Sequence, residues 1–154
     1  MRRLTALLGI LVILAYPSLV AATAYGSLTY QTHWHPPGYA DTALCVQPGI
    51  VDTARNYSQS VTKNYVGSGS CSGSNRALPS GWIRTQVAGF RSGALCGYSG
   101  WYYSNVQTSS WQIWIQMCSN PSGTQVFHTR GYGGGWYGDG YVGGAGVTSP
   151  SQNY

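Results

Sequence analysis

The segment from Trp111 to Cys118 constrains the fold of this chain more than any other. Trp111, Ile113, Ile115 and Met117 alternate there with Gln112, Trp114, Gln116 and Cys118. A two-residue apolar period over eight positions is typical of a half-buried β-strand. On such a strand Trp114 lies on the face opposite Trp111, so it meets either a second layer of structure or solvent.

The rest of the chain also favours strands. Thr, Tyr, Val and Trp are abundant, whereas Lys63 is the only lysine and glutamate is absent. A second strand is predicted over 82–90, and further strands over 26–34, 43–47, 61–66, 95–103 and 124–132; only 51–60 resembles a helix. Short strands separated by Gly, Pro and Ser turns predict an all-β antiparallel sandwich, with a small barrel as the alternative.

The N-terminus resembles a signal peptide. A basic start at Arg2-Arg3 precedes an apolar run, 6–15, and then Ala22-Thr23-Ala24, an A-x-A cleavage pattern. The run is too short to cross a bilayer core of about 30 Å, and no cysteine stands at the cleavage point to take a lipid. We expect residues 1–24 to be removed and residues 25–154 to be secreted as one extracellular domain without a stable membrane anchor; a membrane anchor is the alternative.

Four cysteines in an exported chain predict two disulfides. Three connectivities exist, and we favour Cys45–Cys71 with Cys96–Cys118, because each closes a loop of roughly two dozen residues and would stabilise the fold by about 3 kcal/mol. The first would hold the Gly/Ser-rich loop Gly67–Asn75 against the sheet. A zinc site is the alternative, but no pair has the C-x-x-C spacing.

The segment from Gly131 to Gly146 alternates glycine with aromatic residues. Asp139-Gly140 is a strong signal for a two-residue hairpin turn, with Trp136-Tyr137 and Tyr141-Val142 as its arms. We therefore predict a hairpin within 131–154, and a sticky low-complexity tail is the alternative.

A loose resemblance covers the C-terminal half. Gly81-Trp82, Cys96, Gly100-Trp101-Tyr102, Cys118, the Gly/Tyr-rich hairpin and the closing Ser149-Pro150-Ser151 together resemble small secreted proteins of bacteria. The resemblance implies an exported, disulfide-bonded, β-rich domain. It implies no function and no site residue.

Charge and carboxylate counts disfavour several functions. Without Arg2 and Arg3, six basic residues face three acidic ones, and the basic residues are scattered singly, so no nucleic-acid partner is expected. Of the three carboxylates, Asp139 is explained by its turn and Asp52 by Arg55 or a cap, which leaves Asp41 and no evident pair for glycoside hydrolysis. No G-x-S-x-G elbow is present. We expect no cofactor, and we expect that the chain is not an enzyme.

The histidines are the sharpest local feature. His33 and His35 flank Trp34 and would share one face of a strand, where His128 from another strand could complete a three-histidine metal site. The same residues could act as acid and base in a secreted nuclease or antibacterial protein. The plainer interpretation is that all three are ordinary surface residues.

The aromatic residues carry the main functional prediction, because six Trp and thirteen Tyr exceed what one small core needs. Flat rings stack on sugars or anchor protein partners, and nearby uncharged polar groups supply hydrogen bonds. The predicted binding residues are Trp34, Trp101, Tyr102, Tyr103, Trp114, Trp136 and Tyr137. We predict a non-enzymatic binding module for a cell-wall polysaccharide or an extracellular protein, or alternatively a structural assembly protein; no oligomeric state is assigned.

Overall fold

The computed structural model describes residues 23–51, 57–118 and 125–153, and the regular elements in these ranges are all strands. They are β1 (Ala24–Tyr25), β2 (Thr29–Trp34), β3 (Thr42–Val51), β4 (Tyr57–Val66), β5 (Ile83–Arg91), β6 (Ala94–Tyr98), β7 (Tyr102–Tyr103), β8 (Ser110–Gln116), β9 (Val126–Trp136), β10 (Tyr141–Gly143), β11 (Val147–Thr148) and β12 (Gln152–Asn153). Nowhere in the described ranges is there a helix with the length and apolar character needed to cross a membrane.

The strands form two antiparallel sheets that pack face to face. In the first sheet β3 pairs with β4 on one side and with β1 and β2 on the other, and β4 also pairs with β8. In the second sheet β9 pairs with β5 on one side and with β10, β11 and β12 on the other, and β5 also pairs with β6 and β7. The main contacts between the sheets join β3 and β4 to β9, and β4 and β8 to β5. The predicted sandwich is confirmed, and the barrel alternative is wrong, because the two sheets stay separate.

Two local predictions need correction. The strand predicted over 95–103 is broken into β6 and β7, since Gly100 adopts a φ of 66° and turns the chain between them. The helix considered over 51–60 is wrong where the structure describes it, because 57–60 belongs to β4 and pairs with both β3 and β8. The predicted Asp52–Arg55 pair and most of the predicted signal peptide lie outside the described residues.

The largest cluster of buried apolar residues in the described ranges joins residues of both sheets. Trp34, Leu44, Leu78 and Ile83 form it, each at most 2% exposed. Burying apolar side chains of this size is the main stabilising term in a domain of this length, at about 2 kcal/mol for each. Trp34 was predicted to bind a ligand, and that prediction is wrong, since its ring belongs to the core.

Glycines let the two sheets approach closely along β9. Gly131, Gly133 and Gly135 occupy successive inward positions of this strand. A Cβ on Gly133 would lie 2.5 Å from Val46 Cγ2, and one on Gly135 would overlap the ring of Trp34. The glycine–aromatic alternation therefore has a structural cause, because the inward positions have no room for a side chain.

The C-terminal arms form the predicted hairpin, but its two turn residues are Gly138-Asp139, one position before the predicted Asp139-Gly140, and Gly138 adopts a φ of 112°. Tyr141 pairs with Trp136, and the Tyr137 amide donates a hydrogen bond to the Gly140 carbonyl at 2.8 Å. Further along, β11 and β12 return to pair with the earlier part of β9. The final residues are thus added to the edge of the second sheet.

Both predicted disulfides are confirmed, and the zinc alternative is wrong. Cys45–Cys71 joins β3 to the 67–75 loop, and Cys96–Cys118 joins β6 of the second sheet to the chain two residues after β8 of the first. The second bridge therefore connects the two layers covalently. A pair of disulfides indicates an oxidising environment of the extracellular type.

A candidate binding site on the outer face of the second sheet

Strand alternation places Arg84 on the outward face of the second sheet. Its neighbours Ile83 and Thr85 are completely buried between the sheets, so Arg84 points the other way. Directly across the ladder stands Gly134. A Cβ at Gly134 would lie 2.7 Å from Arg84 Nε, so the missing side chain makes room for the arginine to lie across the strand.

Two aromatic rings enclose the Arg84 guanidinium. Its Cζ lies 4.1 Å from the ring centroid of Trp101 and 4.2 Å from that of Tyr141. Tyr141 also makes edge-on contacts with Tyr103, at 5.4 Å, and with Trp136, at 5.1 Å between centroids. We call these five residues the Arg84 cluster. Cation–π contacts and edge-on contacts between rings are each favourable by about 0.5–2 kcal/mol.

Hydrogen bonds to backbone groups hold the segments that carry these rings in place. The turn before Trp101 is fixed by Ser99, whose hydroxyl accepts a hydrogen bond from the Val87 amide at 3.0 Å. The strand carrying Tyr103 is fixed by the buried Ser104, whose amide donates to the Ile83 carbonyl at 2.7 Å. The Tyr141 hydroxyl donates to the Gly81 carbonyl. The cluster is therefore built on paired strands and short, bonded connections.

The charge of Arg84 is not neutralised within the described part of the chain. Its Nε is buried without a hydrogen-bond partner. Neither terminal nitrogen has a partner among those residues, and neither is buried. Burial raises the pKa of Tyr141 above 10.0, and so does Tyr103, whereas Arg84 acts in the opposite direction. Tyr141 consequently remains a neutral phenol at physiological pH.

The other predicted binding residues are distributed over the surface. Trp101, Tyr103 and Trp136 belong to the Arg84 cluster. Tyr102 and Tyr137 are about half exposed, on β7 and in the β9–β10 turn. Trp114 is 58% exposed on the outer face of the first sheet, where its only ring contact in the described ranges is with Tyr57. Trp114 therefore faces solvent and not a second layer.

The structure does not bring the three histidines together. His33 and His35 are exposed on either side of buried Trp34 in the first sheet, and His35 Nε2 lies 2.8 Å from Asp41 Oδ1. His128 is on the outward face of the second sheet, stacked on Phe90 at 4.6 Å. Because these positions are on opposite sides of the sandwich, one metal ion or one substrate cannot meet all three. No group of three metal-binding side chains occurs elsewhere in the described ranges.

Arg84 and Tyr141 are the site residues that sequence reasoning missed. Arg84 is one of the singly scattered basic residues, to which the sequence assigns no binding role, and Tyr141 is predicted only as part of a hairpin arm. One signal was available, since a strand arginine flanked by buried-type residues must point outward, and the glycine-rich strand offers positions that accept a long side chain. The partner strand was unknown, however, so Gly134 could not be placed opposite Arg84.

Comparison of this chain with protein families, with curated proteins and with solved structures finds no match.

Proposed function

We propose that this chain is an exported, non-enzymatic binding module that recognises a cell-envelope polysaccharide through the Arg84 cluster. The observation that carries the proposal is a group of four aromatic rings on a paired sheet, two of which lie against the unused hydrogen-bond donors of Arg84 while the other two contact Tyr141. Sugar rings offer apolar C–H faces and rows of hydroxyls. A site that combines flat rings with fixed polar groups suits that chemistry.

Preorganisation supports binding by this surface. The side chains of the Arg84 cluster already contact one another, so a ligand has little rotamer entropy to remove, a cost of about 0.5–1.5 kcal/mol for each mobile side chain. Polar groups suited to sugar hydroxyls lie on the same face, including Gln86, which pairs across the ladder with Tyr132. A protein partner would use the same rings as anchors, and the test below separates the two ligands.

Retention on purified cell walls and on a panel of polysaccharides, followed by tryptophan fluorescence, tests the proposal. Trp101→Ala and Trp114→Ala form a matched pair, since each removes one indole, on opposite outer faces of the sandwich. We expect Trp101→Ala to weaken polysaccharide binding about 10-fold or more, the usual cost of losing a stacking ring, and Trp114→Ala to leave it unchanged. Equal losses in both variants, or retention by a protein component alone, would contradict the proposal.

Export is tested on the material harvested outside cells. We expect mass spectrometry to find Tyr25 as the first residue, because the predicted cleavage follows Ala24. That position lies within β1, and the remaining Tyr25 pairs with Gly49. An intact Met1 in the extracellular protein would contradict this.

Assembly with other copies is a second candidate, favoured by the edge strand β8. Among the described strands β8 pairs with β4 alone, and it contains neither proline nor a charged residue. Native edges usually carry such residues to prevent strand addition, so this edge is open to it. Light scattering after size exclusion tests this candidate. Larger species that disappear in Trp114→Lys would support it, and a strict monomer at all concentrations would oppose it.

A further inference from the structure

We infer that the Arg84 cluster selects acidic saccharides, with the carboxylate of a uronic-acid-type sugar bound by the Arg84 guanidinium. This inference rests on the proposed function and adds the class of sugar. The composition of the chain suggests a surface that binds through neutral groups. The enclosed arginine gives this particular surface a fixed positive charge at its centre.

The unused donors of Arg84 are the first step. A guanidinium has five N–H groups in a rigid fork, and this fork matches the two oxygens of a carboxylate. No hydrogen bond or ion pair occupies any of them within the described residues, although Nε is buried. Nε is therefore out of a ligand's reach, whereas the two terminal nitrogens can donate to both oxygens of one carboxylate, and hydrogen bonds to charged groups contribute about 1.5–3 kcal/mol.

The surroundings of Arg84 are the second step. The rings of Trp101 and Tyr141 lie 4.1 and 4.2 Å from Arg84 Cζ, so apolar ring surface replaces water beside the guanidinium and strengthens its attraction to an anion at the remaining open edge. The described carboxylates belong to Asp41 and Asp139. The first contacts His35, and the second is in the β9–β10 turn, so neither is paired with Arg84.

The rings next to the guanidinium are the third step. Tyr103 is 46% exposed and contacts Tyr141, and Trp136 contacts Tyr141 from another side. When its carboxylate is bound at Arg84, a sugar can therefore stack its pyranose face on the neighbouring rings of Tyr103 or Trp136. Tyr141 stays protonated and donates its hydrogen to Gly81, so it does not repel the anion.

The test compares the binding of a charged ligand with that of its uncharged ester. Galacturonate oligomers and their methyl esters share the sugar ring and the linkage and differ only at the carboxyl group, which is charged in the acid and capped by a neutral methyl ester in the other. We expect calorimetry on the whole mature protein to give about 10-fold or more tighter binding of the acid, as hydrogen bonds to charged groups usually provide. Added sodium chloride should weaken binding of the acid and not of the ester.

Arginine variants then assign the preference to one side chain. Arg84→Gln should abolish the preference for the acid while the ester still binds, and Arg84→Lys should keep part of it, since lysine has the charge without the fork. Arg130→Gln is the control, because Arg130 is an exposed arginine on the same sheet, bonded to Thr148 and not enclosed by two rings. The control should retain the full preference.

The outcomes distinguish this inference from the proposal beneath it. Equal affinity of the unaltered protein for acid and ester, with Trp101→Ala weakening both, would overturn the acidic-sugar inference and leave polysaccharide binding in place. Loss of the preference in Arg130→Gln to the same extent as in Arg84→Gln would overturn it as well. If the protein binds neither the acid nor the ester, the inference is overturned. If it is also retained by no cell wall or polysaccharide of the panel, the proposed function is overturned as well. The acid–ester comparison needs no variant, so it holds even if a substitution impairs folding.

Discussion

The two faces of the second sheet differ in the side chains that they need on the same strands. Facing inward, β9 presents Gly131, Gly133 and Gly135 against side chains of the first sheet. Facing outward, the same strand presents Gly134 beneath Arg84, and then Trp136. The inner face depends on the absence of side chains, and the outer face on their presence. Substitutions in adjacent residues should therefore change different properties, stability on one face and binding on the other.

The largest effect is expected on the inner face, at Gly135. Gly135→Val should lower the free energy of unfolding by about 3 kcal/mol or more, because its Cβ would overlap the Trp34 ring and neither sheet can move away without opening the core. Denaturant unfolding followed by tryptophan fluorescence measures the change. Gly97→Ala, in β6, is the control, since a Cβ there meets no atom within 4 Å. A Gly135→Val protein of unchanged stability would refute the close approach of the sheets.

The next effect is expected on the outer face, at Tyr141. Tyr141→Ala removes the ring from one side of the Arg84 guanidinium and should weaken binding of galacturonate oligomers about 10-fold, the loss of one desolvated cation–π contact. Tyr141→Phe keeps the ring, loses only the hydrogen bond to Gly81, and should bind nearly as well. Titration calorimetry measures both. If the two variants lose affinity equally, the hydroxyl and not the ring would be the important group.

A smaller effect on the inner face is expected at Thr85. Its buried hydroxyl is within hydrogen-bond distance of Ser60 Oγ, at 2.9 Å, and of the Tyr132 carbonyl, at 3.1 Å. Thr85→Val preserves the shape and should cost about 1–2 kcal/mol, since both partners lose a bond in a dry interior. Adding Ser60→Ala should recover part of the loss in a double-mutant cycle. Additive losses would indicate that the two hydroxyls do not interact.

The smallest effect is expected from His128, at the far end of the outer face. Burial lowers its pKa below 6.5, and Arg130 lowers it further. In the window between the folded pKa and 6.5 the unfolded chain binds more protons, so stability should be full above about pH 6.5 and fall as the pH drops through that window. His128→Gln should remove this contribution. An imidazole titration by NMR should give a higher pKa in Arg130→Gln, and an unchanged value would contradict the role of Arg130.

Sequence patterns predicted those parts of the fold that depend on near neighbours. The period of two at Trp111 to Cys118 identified β8, the Asp139-Gly140 pair identified a hairpin turn to within one residue, and the cysteine spacing favoured the two disulfides that the structure contains. Each of these signals depends on backbone geometry or loop length over a few residues to about two dozen. Such distances along the chain are short enough for local rules to apply.

The candidate site was less accessible to the same reasoning. Trp34 was expected to bind a ligand and is in the core, whereas Arg84, a singly placed basic residue with no predicted role, lies against the rings of an aromatic cluster. Alternation shows that two residues point to opposite faces, but it does not show which face becomes the interior. With tryptophan and tyrosine on both faces, hydrophobicity alone cannot decide between them.

The amino-acid sequence by itself determined that this chain forms strands, where several of its turns lie, and which cysteines are close enough to pair, because propensity and loop closure act locally. The tertiary structure alone decided that Gly134 stands across from Arg84 and that Trp101 and Tyr141 meet over it. These residues come from four separate segments, and only the lateral order of strands in the sheet makes them neighbours. The positively charged aromatic surface is therefore a property of strand pairing and not of any one segment.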